Sequence, residues 1–168
     1  MLIAVTKFNK ERNGLALFIE NGLNANVPAA QRNTVGFTNE LKMLREEIRE
    51  FWDAETIAER VDGFVDTEYV WLGTQVKCSY NTYSIPKEIK DGIEASLYLM
   101  SNYLIDELGD NYYEIIRSAR DIVCSANAEK GKNLDKDGKV TKVGFTRDAT
   151  AEISAMIADI QTRGEAKV

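Results

Sequence analysis

The chain has 168 residues, 44% of them hydrophobic, with 21 Lys and Arg against 27 Asp and Glu and a net charge of −6. Length and apolar fraction suit one domain spanning residues 1–168, and a chain this long buries roughly 70% of its unfolded surface. The acidic balance excludes a general nucleic-acid binder and an anionic membrane surface as partners, while the absence of histidine excludes Ser-His-Asp and Cys-His catalysis, imidazole zinc sites and Glu-x-x-His di-iron bundles.

Any acid–base or metal chemistry must therefore run on carboxylates. Cys78 and Cys124 are too few for a disulfide framework or a Cys-based metal site and read as reduced thiols of a cytosolic protein. The apolar start, Met1 to Val5, is interrupted by Lys7 and Lys10, so it does not read as a signal peptide. No apolar run is long enough to span a bilayer. A soluble, intracellular protein is expected.

Long stretches carry helical periodicity rather than strand alternation. A first helix is predicted around Ile3–Asn13, ending near Gly14, and the stretch from Leu15 to Gly36 reads as loop around Gly22, Asn24, Asn26 and Pro28. Thr38 can cap a helix to Ala54, with Leu41, Leu44, Ile48 and Phe51 as its apolar stripe. A helix over Ile57–Val76 carries Val61, Phe64, Val65, Tyr69 and Leu72, and the short break before it predicts an antiparallel hairpin. Ser84 and Pro86 open the next helix, on Ile89, Ile93, Leu97, Met100 and Leu104, which Gly109 stops. Another runs from Asn111 to Lys130 on Ile115, Ala119, Ile122 and Val123. Asp137-Gly138 is a turn signal, with a small hairpin possible on Lys139–Val143. A last helix covers Asp148–Gln161 on Ile153, Met156, Ile157 and Ile160. The expected fold is an all-α multi-helix bundle, with a Lys-rich loop or hairpin before the last helix.

The hairpin concentrates acid. Glu46, Glu47 and Glu50 fall within an arc of roughly 100°, and Glu59, Asp62 and Asp66 within roughly 60° on the next helix. Like charges at helical neighbour spacing destabilise a helix by a few tenths of a kcal/mol per pair. Such stripes either stay solvated or are neutralised by a divalent cation, and Mg²⁺ and Mn²⁺ take hard oxygen ligands.

Glu46-Glu47-Ile48-Arg49-Glu50 matches the EExxE signature of the MazG-like, all-α nucleoside triphosphate pyrophosphohydrolases, a superfamily that includes dimeric dUTPases and phosphoribosyl-ATP pyrophosphohydrolase. The run from Asp62 to Thr74 resembles the family's second motif, and Asn127-x-x-Lys130 with the later Lys139 and Lys142 resembles the Lys-bearing segment of its short phage and bacterial members. The likeness covers residues 38–145 and departs from the pattern at Gly63, where the family usually has Glu. Glu59-Arg60-Val61-Asp62 offers the pattern one turn earlier, and Asp62, four residues from Asp66, can take the missing ligand's place.

The resemblance implies a metal-binding helical hairpin, with Glu47, Glu50, Asp62 and Asp66 as ligands of two or three Mg²⁺ or Mn²⁺ ions and Glu59 held in reserve. With no histidine available, Glu46 beside Glu47 is the candidate general base or water-orienting group, and the resemblance implies Asn127, Lys130, Lys139 and Lys142 as substrate contacts. The implied reaction is hydrolysis of a nucleoside triphosphate, with a deoxynucleotide such as dGTP or dUTP preferred, to the monophosphate and pyrophosphate. A dimer or tetramer in the cytoplasm of a bacterium or a phage-infected cell is implied as well.

Charge agrees with this reading. Residues 127–147 carry +3 while the remainder carries −9, which suits a polyphosphate held between metal and ammonium groups. Asn133, Asp135 and Asp137 brush the EF-hand pattern, but Gly144 stands where the bidentate Glu belongs. Phe8, Trp52, Trp71 and Tyr80 are the aromatic candidates for base stacking. The competing expectation is a non-catalytic helical adaptor with an acidic face.

Overall fold

The computed structural model describes residues 1–11, 29–80, 82–130 and 147–165. These form six α-helices: α1 (Leu2–Glu11), α2 (Ala29–Asp53), α3 (Ile57–Tyr80), α4 (Lys87–Leu108), α5 (Tyr112–Glu129) and α6 (Ala149–Glu165), with a 3-10 turn at Gly109–Asn111. The protein is an all-α bundle, and no strand occurs among the described residues. None of the described helices is long and apolar enough to cross a membrane. The Asp137-Gly138 turn, the Lys139–Val143 hairpin and the EF-hand-like stretch fall outside the described residues, as does the loop expected from residue 15 up to 28.

The helix containing EExxE begins at Ala29, nine residues before the cap expected at Thr38, so Thr38 lies inside α2. The fragment Ala29–Gly36 lacks a clear apolar stripe, and Gly36 with Pro28 reads as loop when taken locally. Helix α3 likewise runs past the expected end at Val76, to Tyr80.

A capping box opens α3. The Glu59 carboxylate accepts from the backbone N–H of Thr56 at 2.8 Å and of Glu55 at 3.0 Å, while the Thr56 hydroxyl accepts from the N–H of Glu59 at 3.2 Å. These exchanges satisfy donors that the first helical turn leaves without intrahelical partners. At the other corner Gly109 has φ +53 and its N–H bonds back to the Ile105 carbonyl, a conformation that a residue with a β-carbon rarely adopts.

Helix α3 packs against all five other helices. It buries Val61, Phe64, Val65 and Tyr69 with Phe51 of α2, Met100 and Leu104 of α4, Ile115 and Val123 of α5, and Ile153 and Ile157 of α6. Smaller clusters of Leu44, Trp71 and Ile93, and of Phe37 with Cys78, extend the α2–α3 seam. The apolar stripes read from the sequence are the faces that meet here. Gly63 sits where α2 comes closest: a β-carbon on it would stand 3.2 Å from both the backbone N and Cα of Phe51.

The α2–α3 hairpin is antiparallel, since Phe51 lies by Gly63 while Glu40 lies by Thr74 and Lys77. The Lys77 ammonium donates to Glu40 at 2.7 Å and the Thr74 hydroxyl at 3.1 Å, with Glu40 5% and Lys77 8% exposed. A charge pair this deep is tolerable because the partners and the hydroxyl supply what water no longer does.

Candidate functional site

A central helix packed on five neighbours is expected to be largely apolar, so each polar side chain on it calls for a partner. Asp62 and Asp66 are one turn apart on α3 and both line a cavity of about 270 Å³. Val123, Ala126, Asn127 and Lys130 from the end of α5 form a second wall, and Arg147, Asp148, Ala149 and Thr150 at the start of α6 form a third. The cavity therefore has an acidic pole on α3 and basic side chains at the α5 and α6 ends.

Asp66 is half-buried, and its carboxyl is pushed up to about 6, chiefly by burial and then by the negative charge of Asp62, with Glu50 adding to the effect. The Lys130 ammonium and a hydrogen bond donated by the Asn127 side chain pull it the other way. These couplings involve Glu50 from α2, Asp62 and Asp66 from α3, Asn127 from α5, and Lys130 just past the end of α5. Asn127 is 5% exposed, so its bond to Asp66 is made in surroundings where a hydrogen bond orients strongly.

Asp62 is held from the far side. The Thr150 hydroxyl donates to its Oδ2 at 2.5 Å, joining α6 to α3. The first turn of α6 is itself fixed by Asp148, whose Oδ1 accepts from the N–H of Ala151 at 3.0 Å. Arg147 grips Glu152 through two bonds of 2.6 and 2.8 Å, the Glu129 carboxylate at 2.5 Å and the Ser125 hydroxyl at 2.8 Å. Arg147 thus ties the end of α5 to the start of α6.

The remaining expected residues fall around this centre. Glu46 and Glu47 are half-buried on α2, and Glu50 is exposed one turn beyond Glu46. Among the described residues, no group of three or more acidic or cysteine side chains is close enough to hold a metal ion. Glu59, the reserve ligand, is engaged at the α3 N-terminus instead. Lys139 and Lys142 lie outside the described residues. Of the aromatic candidates, Trp71 is core and Phe8 packs edge-on against Tyr69 at 5.6 Å, while Trp52 and Tyr80 are exposed.

No protein-family model matches the chain, and neither a curated protein nor a solved structure matches it.

Sequence reasoning missed Thr150, Arg147 and Asp148 as members of the cavity wall. Asp148 ahead of an apolar-periodic run is an N-cap signal, but no local signal says that this helix start faces Asp62, 88 positions away. The Thr56-x-x-Glu59 box was missed as well, although its spacing is the standard capping signature.

Proposed function

We propose that the protein is a metal-dependent nucleoside triphosphate diphosphohydrolase, converting a nucleoside triphosphate and water to the monophosphate and pyrophosphate. The observation that carries this reading is the pairing of Asp62 and Asp66 in the wall of one cavity with Asn127 and Lys130 opposite them. The order of motifs that resemble the MazG-like enzymes supports it.

The donor set suits a hard divalent cation. Every expected ligand is a carboxylate, and Asp66 bears the combined pressure of burial, Asp62 and Glu50 that a cation would relieve. Asp62 and Asp66, joined by Glu47 and Glu50 from the facing helix, would hold Mg²⁺ or Mn²⁺. Bound there, such an ion supplies Lewis acidity toward phosphoryl oxygens and a lowered pKa for the attacking water. Glu46 takes the proton of that water as its oxygen bonds to the α-phosphorus and the bond to the β-phosphate bridging oxygen breaks. Lys130, with Lys139 and Lys142 by resemblance, offsets charge on the departing pyrophosphate. Asn127 orients Asp66 and leaves its other polar atoms for a sugar or base edge. A deoxynucleotide is the preferred substrate, and the exposed Tyr98, Leu99 and Tyr113 provide apolar surface for self-assembly as a dimer or tetramer.

The test is pyrophosphate release from all eight ribo- and deoxynucleoside triphosphates, with Mg²⁺, Mn²⁺ or EDTA. Metal-dependent release from one or two of them is expected, and Glu50→Gln should abolish it without unfolding the protein. Full activity in that variant removes Glu50 from the site, and silence across the panel removes the reaction.

One observation favours a second reading, a non-catalytic helical adaptor: among the described residues the acids do not form a ready metal cluster. Melting separates the two. A ligand at 100 times its dissociation constant adds about 2.7 kcal/mol, so Mn²⁺ with the right nucleotide raises Tm of the enzyme by several degrees and leaves the adaptor unchanged.

A further inference from the structure

We propose that Thr150 is a positioning residue, holding the Asp62 carboxylate beside Asp66 so that the pair can take a divalent cation; this rests on the metal-binding reading of the site. Asp62 and Asp66 are neighbours four positions apart on α3, both in the wall of one cavity, and like charges at that spacing repel each other. Left to itself, Asp62 would rotate away from Asp66 to lower that repulsion. The Thr150 hydroxyl opposes this by donating to Asp62 Oδ2 at 2.5 Å from a different helix.

Three features make Thr150 suited to the role. Its hydroxyl is not needed to cap α6, because the Asp148 carboxylate already accepts from the N–H of Ala151. Its backbone is held rigidly, because Arg147 ties this turn to Glu129 and Ser125 at the end of α5 and to Glu152 of α6. It also lies in the wall of the same cavity as Asp62 and Asp66. The arrangement pairs with Asn127, which steadies Asp66 from α5 in the same manner. The two carboxylates of α3 are thus each oriented by a neutral side chain from a separate helix.

The experiment is titration of the full-length protein with Mn²⁺, without nucleotide, read by calorimetry, for wild type and for Thr150→Val, Thr150→Ala and Thr150→Ser. Melting of each metal-free protein is recorded alongside. Losing a group that orients a metal ligand typically weakens affinity by about 10- to 100-fold. Val and Ala are therefore expected to bind Mn²⁺ at least tenfold more weakly, and Ser to stay close to wild type because it keeps the hydroxyl. Should Val fail to fold, the Ala and Ser comparison reads the same difference. Wild-type affinity in the Val or Ala variant overturns the proposal, as does a Ser variant as weak as Ala. If wild type itself binds no Mn²⁺, the metal-binding reading falls and takes this role with it; intact wild-type binding with unaffected variants removes the role of Thr150 alone.

Discussion

Gly63 faces the backbone of Phe51 across the α2–α3 seam, where an added β-carbon would stand 3.2 Å from both N and Cα. The residue at the one departure from the family pattern is thus a packing residue. Its position points into helix–helix contact, whereas Asp62 and Asp66 reach the cavity. Gly63→Glu restores the family's usual residue in sequence but forces a charged side chain into a buried seam. Burial without a partner and overpacking both act here. The expected result is a loss of at least about 3 kcal/mol and no gain in Mn²⁺ affinity. Gly63→Ala is the milder control, because the added helix propensity of about 1 kcal/mol opposes a tight contact. Chemical denaturation of both variants checks the order, and a Glu variant as stable as wild type would contradict the geometry.

The Glu40–Lys77 pair predicts an asymmetry between single and double variants. Glu40→Gln leaves a buried ammonium without its counter-charge, and breaking such a pair costs about 3–5 kcal/mol. Replacing both partners with apolar residues of similar volume, Glu40→Leu with Lys77→Met, should recover most of that loss. Urea unfolding at pH 7 measures all three proteins. A double variant as unstable as the single would mean that the pair does more than satisfy its own burial.

Much of this fold was legible in the sequence because the apolar stripes are real faces. Ile153, Ile157 and Ile160 were read as one stripe of the last helix, and they are buried together against the core. The acids Asp62 and Asp66 were legible as a pair for the same reason, since i, i+4 spacing fixes their common face. Other features depended on long-range packing. Helix α2 starts nine residues before the expected cap, and Thr150 meets Asp62 only when α6 docks on α3. Glu40 is a third case: the sequence reading did not single it out, and its partner Lys77 lies 37 positions away on the next helix.

Glu59 separates capping from ligation. Its carboxylate takes three hydrogen bonds at the start of α3, from the N–H groups of Thr56 and Glu55 and from the Thr56 hydroxyl. Those donors hold its carboxyl below the usual carboxylate range. Glu59→Ala should lower Tm, because two backbone donors of the first turn lose their acceptor, while Mn²⁺ affinity stays within twofold of wild type. Thr56→Ala should match it in Tm, since both variants open the same box. A tenfold loss of Mn²⁺ affinity in Glu59→Ala would return Glu59 to the ligand set.

Asp66 gives the metal-free protein a distinctive pH dependence. Its carboxyl is raised from 3.8 to about 6 in the folded state, first by burial and then by Asp62. A carboxyl raised on folding stabilises the folded state while it stays protonated. That contribution is whole below about pH 4 and is lost as pH climbs through about 6. One pKa unit corresponds to about 1.4 kcal/mol, so the loss is on the order of 2–3 kcal/mol, or roughly 5–10 °C in Tm for a domain of this size. Asp66→Asn carries no charge at any pH and escapes the penalty. In EDTA the variant should therefore melt higher than wild type above pH 7 and converge with it near pH 4. Thermal melts of both proteins at half-unit pH steps check this, and a Tm difference that stays constant from pH 4 to pH 7.5 would show that Asp66 titrates normally in the fold. If the proposed metal site is correct, saturating Mn²⁺ should reverse the order at pH 7.5, because the cation would bind the folded wild type and find only a neutral amide at position 66 of the variant.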